Sequence, residues 1–194
     1  MSMNMHLLTH EKKTNMDLSE ALAFVCAEHF LQVHPSVLGA TKTMDIRLSR
    51  EQLEPAKVRC ASWIAKGAFF FTILKIQNQT VVYCHANKMM YYTSPNIQLP
   101  MQIPNGYAFL GQTAIDNGSF PRLLILDIVE PKIPDPMQRG MELRKFTEFF
   151  PSTCHVQWSG DLLALRKFLE KGLPHAVDGI VSMHEPLCYT LEKR

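Results

Sequence analysis

Lys66 stands beside Gly67 at the break between two apolar runs, in the stretch Ala61 to Leu74, Ala-Ser-Trp-Ile-Ala-Lys-Gly-Ala-Phe-Phe-Phe-Thr-Ile-Leu. A strand, a glycine turn and a second strand, with an amine at the turn, form the frame of a nucleotide-binding site. A deprotonated lysine there can attack phosphorus, and a charged one can hold phosphate. Attack also requires a metal to offset phosphate charge. Lys42-Thr-Met-Asp45-Ile-Arg47 imitates a nucleotidyl-transfer lysine motif, but it lacks the glycine and no strong strand follows, so it reads as a solvated loop.

Other chemistries find little footing. Cys26, Cys60, Cys84, Cys154 and Cys188 are odd in number and scattered, with no C-x-x-C spacing for zinc or redox work, and read as reduced thiols. His29 and His34 read as ordinary surface histidines. No metal and no cofactor is expected. The formal charge of +2 is too mild for a bulk electrostatic grip on a long nucleic acid, so any such contact should be local. Residues 1–15 hold Lys12 and Lys13 but no apolar signal core, and no run approaches the ~18 apolar residues that span a bilayer. The expectation is an intracellular protein, cytoplasmic or nuclear, without membrane contact.

With 194 residues, 46% hydrophobic and 20% charged, the chain can bury one sizeable core. After a lead over 1–15, the rest reads as one domain, 16–194. Asp17 and Glu20 open an N-terminal helix that ends by 34, ahead of Pro35, and a weak second helix spans Ser49 to Leu53. A β-meander follows over 57–129, with strands at 58–64, 68–76, 80–85, 88–93, 107–115 and 122–129. Ile76-Gln-Asn-Gln-Thr and Asp116-Asn-Gly-Ser read as hairpin turns, and the prolines of 95–106 mark a loop. Three prolines make 130–138 irregular. Helices are expected at 141–150 and 161–171, the latter stopped by Gly172. A closing strand region, 176–194, opens with a strand at 177–181. The fold class is α+β, built on antiparallel sheet.

Three segments in order resemble the nucleotidyltransferase domain shared by mRNA-capping guanylyltransferases and ATP-dependent ligases, and its non-catalytic relatives, the snurportin-type cap-binding domains. The family's Ser-Trp-Lys-Ala-Asp-Gly-Thr-Arg-Tyr is echoed by Ser62-Trp63-Ile64-Ala65-Lys66-Gly67-Ala68-Phe69-Phe70. Its Leu-Asp-Gly-Glu, hairpin, and Pro-Arg-Tyr-Leu-Ile-Tyr-Asp-Ile is echoed by Leu110-Gly111-Gln112-Thr113 and Pro121-Arg-Leu-Leu-Ile-Leu-Asp127-Ile128. Its Glu-x-Asp-Gly-Leu-Ile is echoed by Ala176-Val177-Asp178-Gly179-Ile180-Val181. The resemblance covers about 45 to 190 and implies a nucleotidyltransferase-like domain without the OB-fold domain that closes on the nucleotide.

The departures fall on the chemistry. Ile64 stands at the nucleophilic lysine, Lys66 at the accompanying aspartate, Phe69 at an arginine, Thr113 at a glutamate and Ala176 at an acid; the phosphate-contacting arginine falls near Ala86. Framework positions Trp63, Gly67, Asp178 and Gly179 are kept. The resemblance therefore implies a pseudoenzyme without catalytic residues, whose site binds an RNA 5′ cap or related guanine nucleotide. Stacking on the base would come from Tyr91, Tyr92, Trp158 or Trp63, and contacts to phosphates from Lys66 or Lys75, with Asp178 facing the ligand. Core packing competes for Trp63, solvated surface positions for both lysines, and a turn-capping role for Asp178. No importin-binding segment is recognisable. Two alternatives stay open: a scaffold subunit presenting the fold to a protein partner, for which 11 Met and 11 Phe are a generous supply, and an active guanylyltransferase or ligase in which Lys66 replaces the missing lysine.

Overall fold

The computed structural model describes residues 58–85, 89–92, 98–152, 154–185 and 188–193, with backbone alone for 89–92, 188 and 193. The expected lead, the helices at 17–34 and 49–53, the Lys42 loop and Ala86 lie outside the described residues.

Two sheets carry the fold. β1 (Cys60–Ala65), β8 (Val177–His184) and β9 (Cys188–Lys193) form an antiparallel sheet in the order β1-β8-β9. A six-stranded sheet has the order β4-β3-β2-β5-β6-β7, from β2 (Phe70–Ile76), β3 (Gln79–Cys84), β4 (Met89–Tyr92), β5 (Ala108–Asp116), β6 (Phe120–Glu130) and β7 (Cys154–Val156). It is antiparallel except for β7, which runs parallel to β6. The hairpins form where the turn residues tolerate left-handed backbone: Gln77 and Asn78 at φ 49° and 57°, Asn117 and Gly118 at 52° and 77°.

Alternation along the strands sorts three apolar layers. Between the sheets lie Ile64, Val181, Met183 and Leu191 from one and Leu74, Val81, Leu110 and Leu126 from the other. The far face of the larger sheet, with Phe71, Ile73, Phe109 and Ile125, packs under Leu143, Phe146 and Phe150. The far face of the smaller sheet, with Ala61, Trp63 and Ile180, packs under Leu162, Leu165 and Leu169 of helix α2 (Leu162–Glu170). Asp161 caps α2 by accepting from Ala164 N at 2.9 Å, and Gly172 follows its end.

Three expectations need correcting. Helix α1 spans Pro136–Lys145, so it starts inside the stretch expected to be irregular and stops short of 150, with a 3-10 turn at Thr147–Phe149 beyond it. Asp135-Pro136 is a helix start, because Asp135 accepts from Met137 N and a proline in the first turn has no N–H to waste. β7 was not anticipated from its three residues. β8 runs to His184, three residues past the expected strand end, and β9 pairs with it. Among the described residues no helix is long and apolar enough to cross a membrane.

Candidate functional site

The candidate site grows from the end of β1. Gly67 has φ +68°, a left-handed backbone that favours glycine, and Ala68 N donates to Ala65 O to close the turn. The turn is held on two sides. Lys66 N donates to Ala176 O at 2.9 Å, while Phe69 N donates to Thr113 Oγ1 at 2.9 Å and Thr113 N to Phe69 O at 3.0 Å. On β8 the register slips at this point: Ile64 faces Gly179 and Ala65 faces Val177, which leaves Asp178 as the extra residue of a bulge. Bulges re-aim side chains.

The free edge of β1 is closed by side chains from the other sheet. Gln112 of β5, wholly buried, accepts from Ala65 N at 3.0 Å and donates to Trp63 O at 2.9 Å and to Gln157 Oε1 at 2.7 Å. Gln157 donates to Trp63 O at 2.8 Å and to Ser62 Oγ at 2.6 Å, and Ser62 donates to Trp158 O at 2.6 Å. Gly160 exchanges backbone bonds with Ala61. These amides satisfy an edge that would otherwise present unpaired backbone groups, and they fix the turn relative to both sheets.

Segments 62–70, 110–113 and 176–181 thus meet around one turn. Their chemistry is spent on structure. Ile64 is buried between the sheets, Thr113 holds Phe69 N, and Ala176 offers its carbonyl to Lys66.

The proposed ligand residues separate into groups. Lys66 is exposed and Asp178 half-buried, and among the described residues neither the amine nor the carboxylate has a hydrogen-bond or ion-pair partner. Trp63 is buried on the α2 side, stacked on Phe168 at a ring-centroid distance of 5.6 Å, with its indole N–H donated to His175 Nε2 at 3.0 Å. Trp158 stacks on the other side of the same group, 4.8 Å from Phe168 with planes 4° apart. A Cβ on Gly160 would come within 2.7 Å of the Trp158 ring, so the glycine makes room for it. Both tryptophans belong to one aromatic stack.

Lys75 is neither surface-exposed nor near the turn. It sits at the far end of β2, about 17 Å along the strand from Phe70 by the rise per residue. Its buried amine donates to Leu99 O at 2.7 Å and Pro100 O at 3.3 Å, and burial pulls its pKa below the ordinary lysine range. It fastens the 98–104 loop to the sheet. Tyr91 and Tyr92 lie on β4 opposite Val82 and Val81, two strands from β2, and their side chains are outside the described residues.

A polar relay that sequence reasoning missed runs behind the turn. His175 Nδ1 lies 2.9 Å from Asp116 Oδ1, Arg122 Nε is 2.7 Å from Asp116 Oδ2, and Arg122 Nη1 is 2.6 Å from His155 Nε2. Asn117 N donates to Pro174 O at 2.7 Å, tying the β5–β6 hairpin to the segment that enters β8. Among the described residues no cluster of three or more His, Cys, Asp or Glu could hold a metal ion. No protein-family model matches the chain, and no curated protein matches it.

Proposed function

We propose that the chain is a nucleotidyltransferase-like domain without transfer chemistry, which holds a guanine nucleotide, as an RNA 5′ cap, at the turn flanked by Lys66 and Asp178. The supporting observation is convergence: segments 62–70, 110–113 and 176–181, far apart in sequence, are bonded to one another around Gly67. The Lys66 ammonium and the Asp178 carboxylate beside that turn, without partners among the described residues, suit the two ends of such a ligand, the phosphates and the donor-bearing edge of guanine. The apolar contacts of Ile64 argue against a nucleophile at that position.

The test is titration with the cap analogue m⁷GpppG, followed by fluorescence of Trp63 and Trp158 and by retention on m⁷GTP resin. Saturable quenching is expected, weakened roughly tenfold by K66E and by D178A, the loss of one charge-assisted contact. No quenching together with no retention would sink the proposal. Incubation with α-labelled GTP and Mg²⁺ should leave no label on denatured protein; a retained label, lost in K66A, would favour transfer through Lys66 instead.

A further inference from the structure

At the opposite end of β1 from the Lys66 turn, a pocket of about 110 Å³ opens between α1, the start of β1 and the Ser159–Gly160 loop. Its apolar wall is made by Met137 and Met141, one helical turn apart on α1 and 50% and 60% exposed. Among the described residues its rim carries Arg59 and Arg144 and no carboxylate. Among the described residues Arg144 has no hydrogen-bond or ion-pair partner for its side chain. A Cβ on Gly140 would stand 3.4 Å from Arg144 Nη1 and 3.7 Å from Ser159 Oγ, so the guanidinium lies over the glycine toward the pocket. Arg59 meets Asp135 at 3.7 Å, a loose contact for a side chain 61% exposed, and that carboxylate already caps α1.

We propose that this pocket docks an acidic peptide segment of a partner protein through one aliphatic anchor. Methionine side chains are unbranched and re-pack around aliphatic groups, which suits an inserted leucine or methionine. Two guanidinium forks at the rim match carboxylates before and after the anchor. Among the described residues that line the pocket there is no aromatic ring on which a nucleic-acid base could stack, so charge and shape together favour a peptide over RNA. The proposal is independent of cap binding at the Lys66 turn.

The test uses full-length protein carrying ¹³C-methyl methionine, with the Met137 and Met141 signals assigned from M137L and M141L. The probe is the blocked pentapeptide Glu-Glu-Leu-Glu-Glu. Saturable shifts confined to these two methyls are expected, with affinity roughly tenfold lower when serine replaces the leucine and lost in R59E/R144E. The unchanged remaining methionine spectrum of R59E/R144E verifies its fold. The proposal is overturned by silent methyls up to millimolar peptide, by equal binding of Lys-Lys-Leu-Lys-Lys, or by undiminished binding to R59E/R144E. Tighter binding of pentauridylate at the same methyls would also overturn it, and would assign the site to nucleic acid.

Discussion

Trp63 and His175 fix each other's hydrogen-bonding roles: the indole N–H donates to His175 Nε2 at 3.0 Å, so the imidazole proton sits on Nδ1, 2.9 Å from Asp116 Oδ1. The Trp63 ring can therefore stay buried without an orphaned donor, and the helix layer, β1 and the β5–β6 hairpin are joined through one histidine.

Replacing His175 by alanine leaves the Trp63 N–H buried and unpaired, while Asp116 keeps Arg122. A loss of about 1–3 kcal/mol is expected, the usual cost of an unsatisfied buried donor. Urea denaturation followed by tryptophan fluorescence measures it. W63F/H175A should lose less than the sum of the single variants, because the phenyl ring has no N–H to strand.

His85 makes stability depend on pH. Burial beside Thr72, whose Oγ1 lies 2.7 Å from its Nε2, holds the imidazole down to about 4, against about 6.5 in an unfolded chain. Between those values the unfolded chain binds a proton that the folded chain refuses. Stability is therefore fully present above pH 6.5 and is lost as pH falls toward 4, by at most about 3 kcal/mol. Urea midpoints across that window should slope less for H85Q than for the parent. Some slope should remain, since His184 is also depressed, first by burial and then by the charge of Arg139.

How far the sequence disclosed this architecture depended on the range of the forces involved. The Asn78 and Asn117-Gly118 turns were readable because turn chemistry is local, and α2 was readable as a helix over 161–171 stopped by Gly172. The start of α1 was missed where Pro136 was counted as a breaker instead of a first-turn residue. β7 is too short to carry a period and owes its existence to β6. Gln112 and Gln157 carry no local signal for closing the edge of β1, because their partners lie 47 and 94 residues away. Lys75 looked like a surface or phosphate lysine since nothing nearby in sequence reveals that Leu99 O and Pro100 O will receive its amine.

Asp127 and Arg139 form a second unit whose loss should be severe. Arg139, 1% exposed, sends Nε to both Asp127 oxygens at 3.1 and 3.2 Å, Nη1 to Ile133 O and Pro134 O, and Nη2 to His184 O. Tyr189 donates to Asp127 Oδ2 at 2.8 Å. α1, β6, β8 and β9 are thereby held by one ion pair. Removing either charge strands the other, and R139M or D127A should cost about 3–5 kcal/mol. R139K should rescue little, because an ammonium cannot replace a fork with five directed donors. Thermal unfolding of the single and double variants measures the coupling: R139M/D127A should be less damaged than the single losses summed.

Ile64 separates a retained shape from a retained reaction. It is 4% exposed and packs between the sheets among Leu126, Val181 and Leu191. Ile64→Lys restores the family's nucleophile in name but puts an amine into an apolar layer, and the buried carboxylate that touches this layer through Tyr189, Asp127, is already taken by Arg139. Burying an unpaired ammonium costs several kcal/mol, so the expected outcome is a strongly lowered urea midpoint and no covalent nucleotide after incubation with α-labelled GTP and Mg²⁺. Ile64→Val, which removes one methylene, should cost only about 0.5–1.5 kcal/mol and leave m⁷GpppG binding unchanged. If I64K instead folds with parental stability and takes up an acid-labile, denaturation-resistant label, the space beside Ile64 admits a nucleotide. The residue would then mark a lost reaction in a site still open to it, and the apolar layer could not be what excludes transfer.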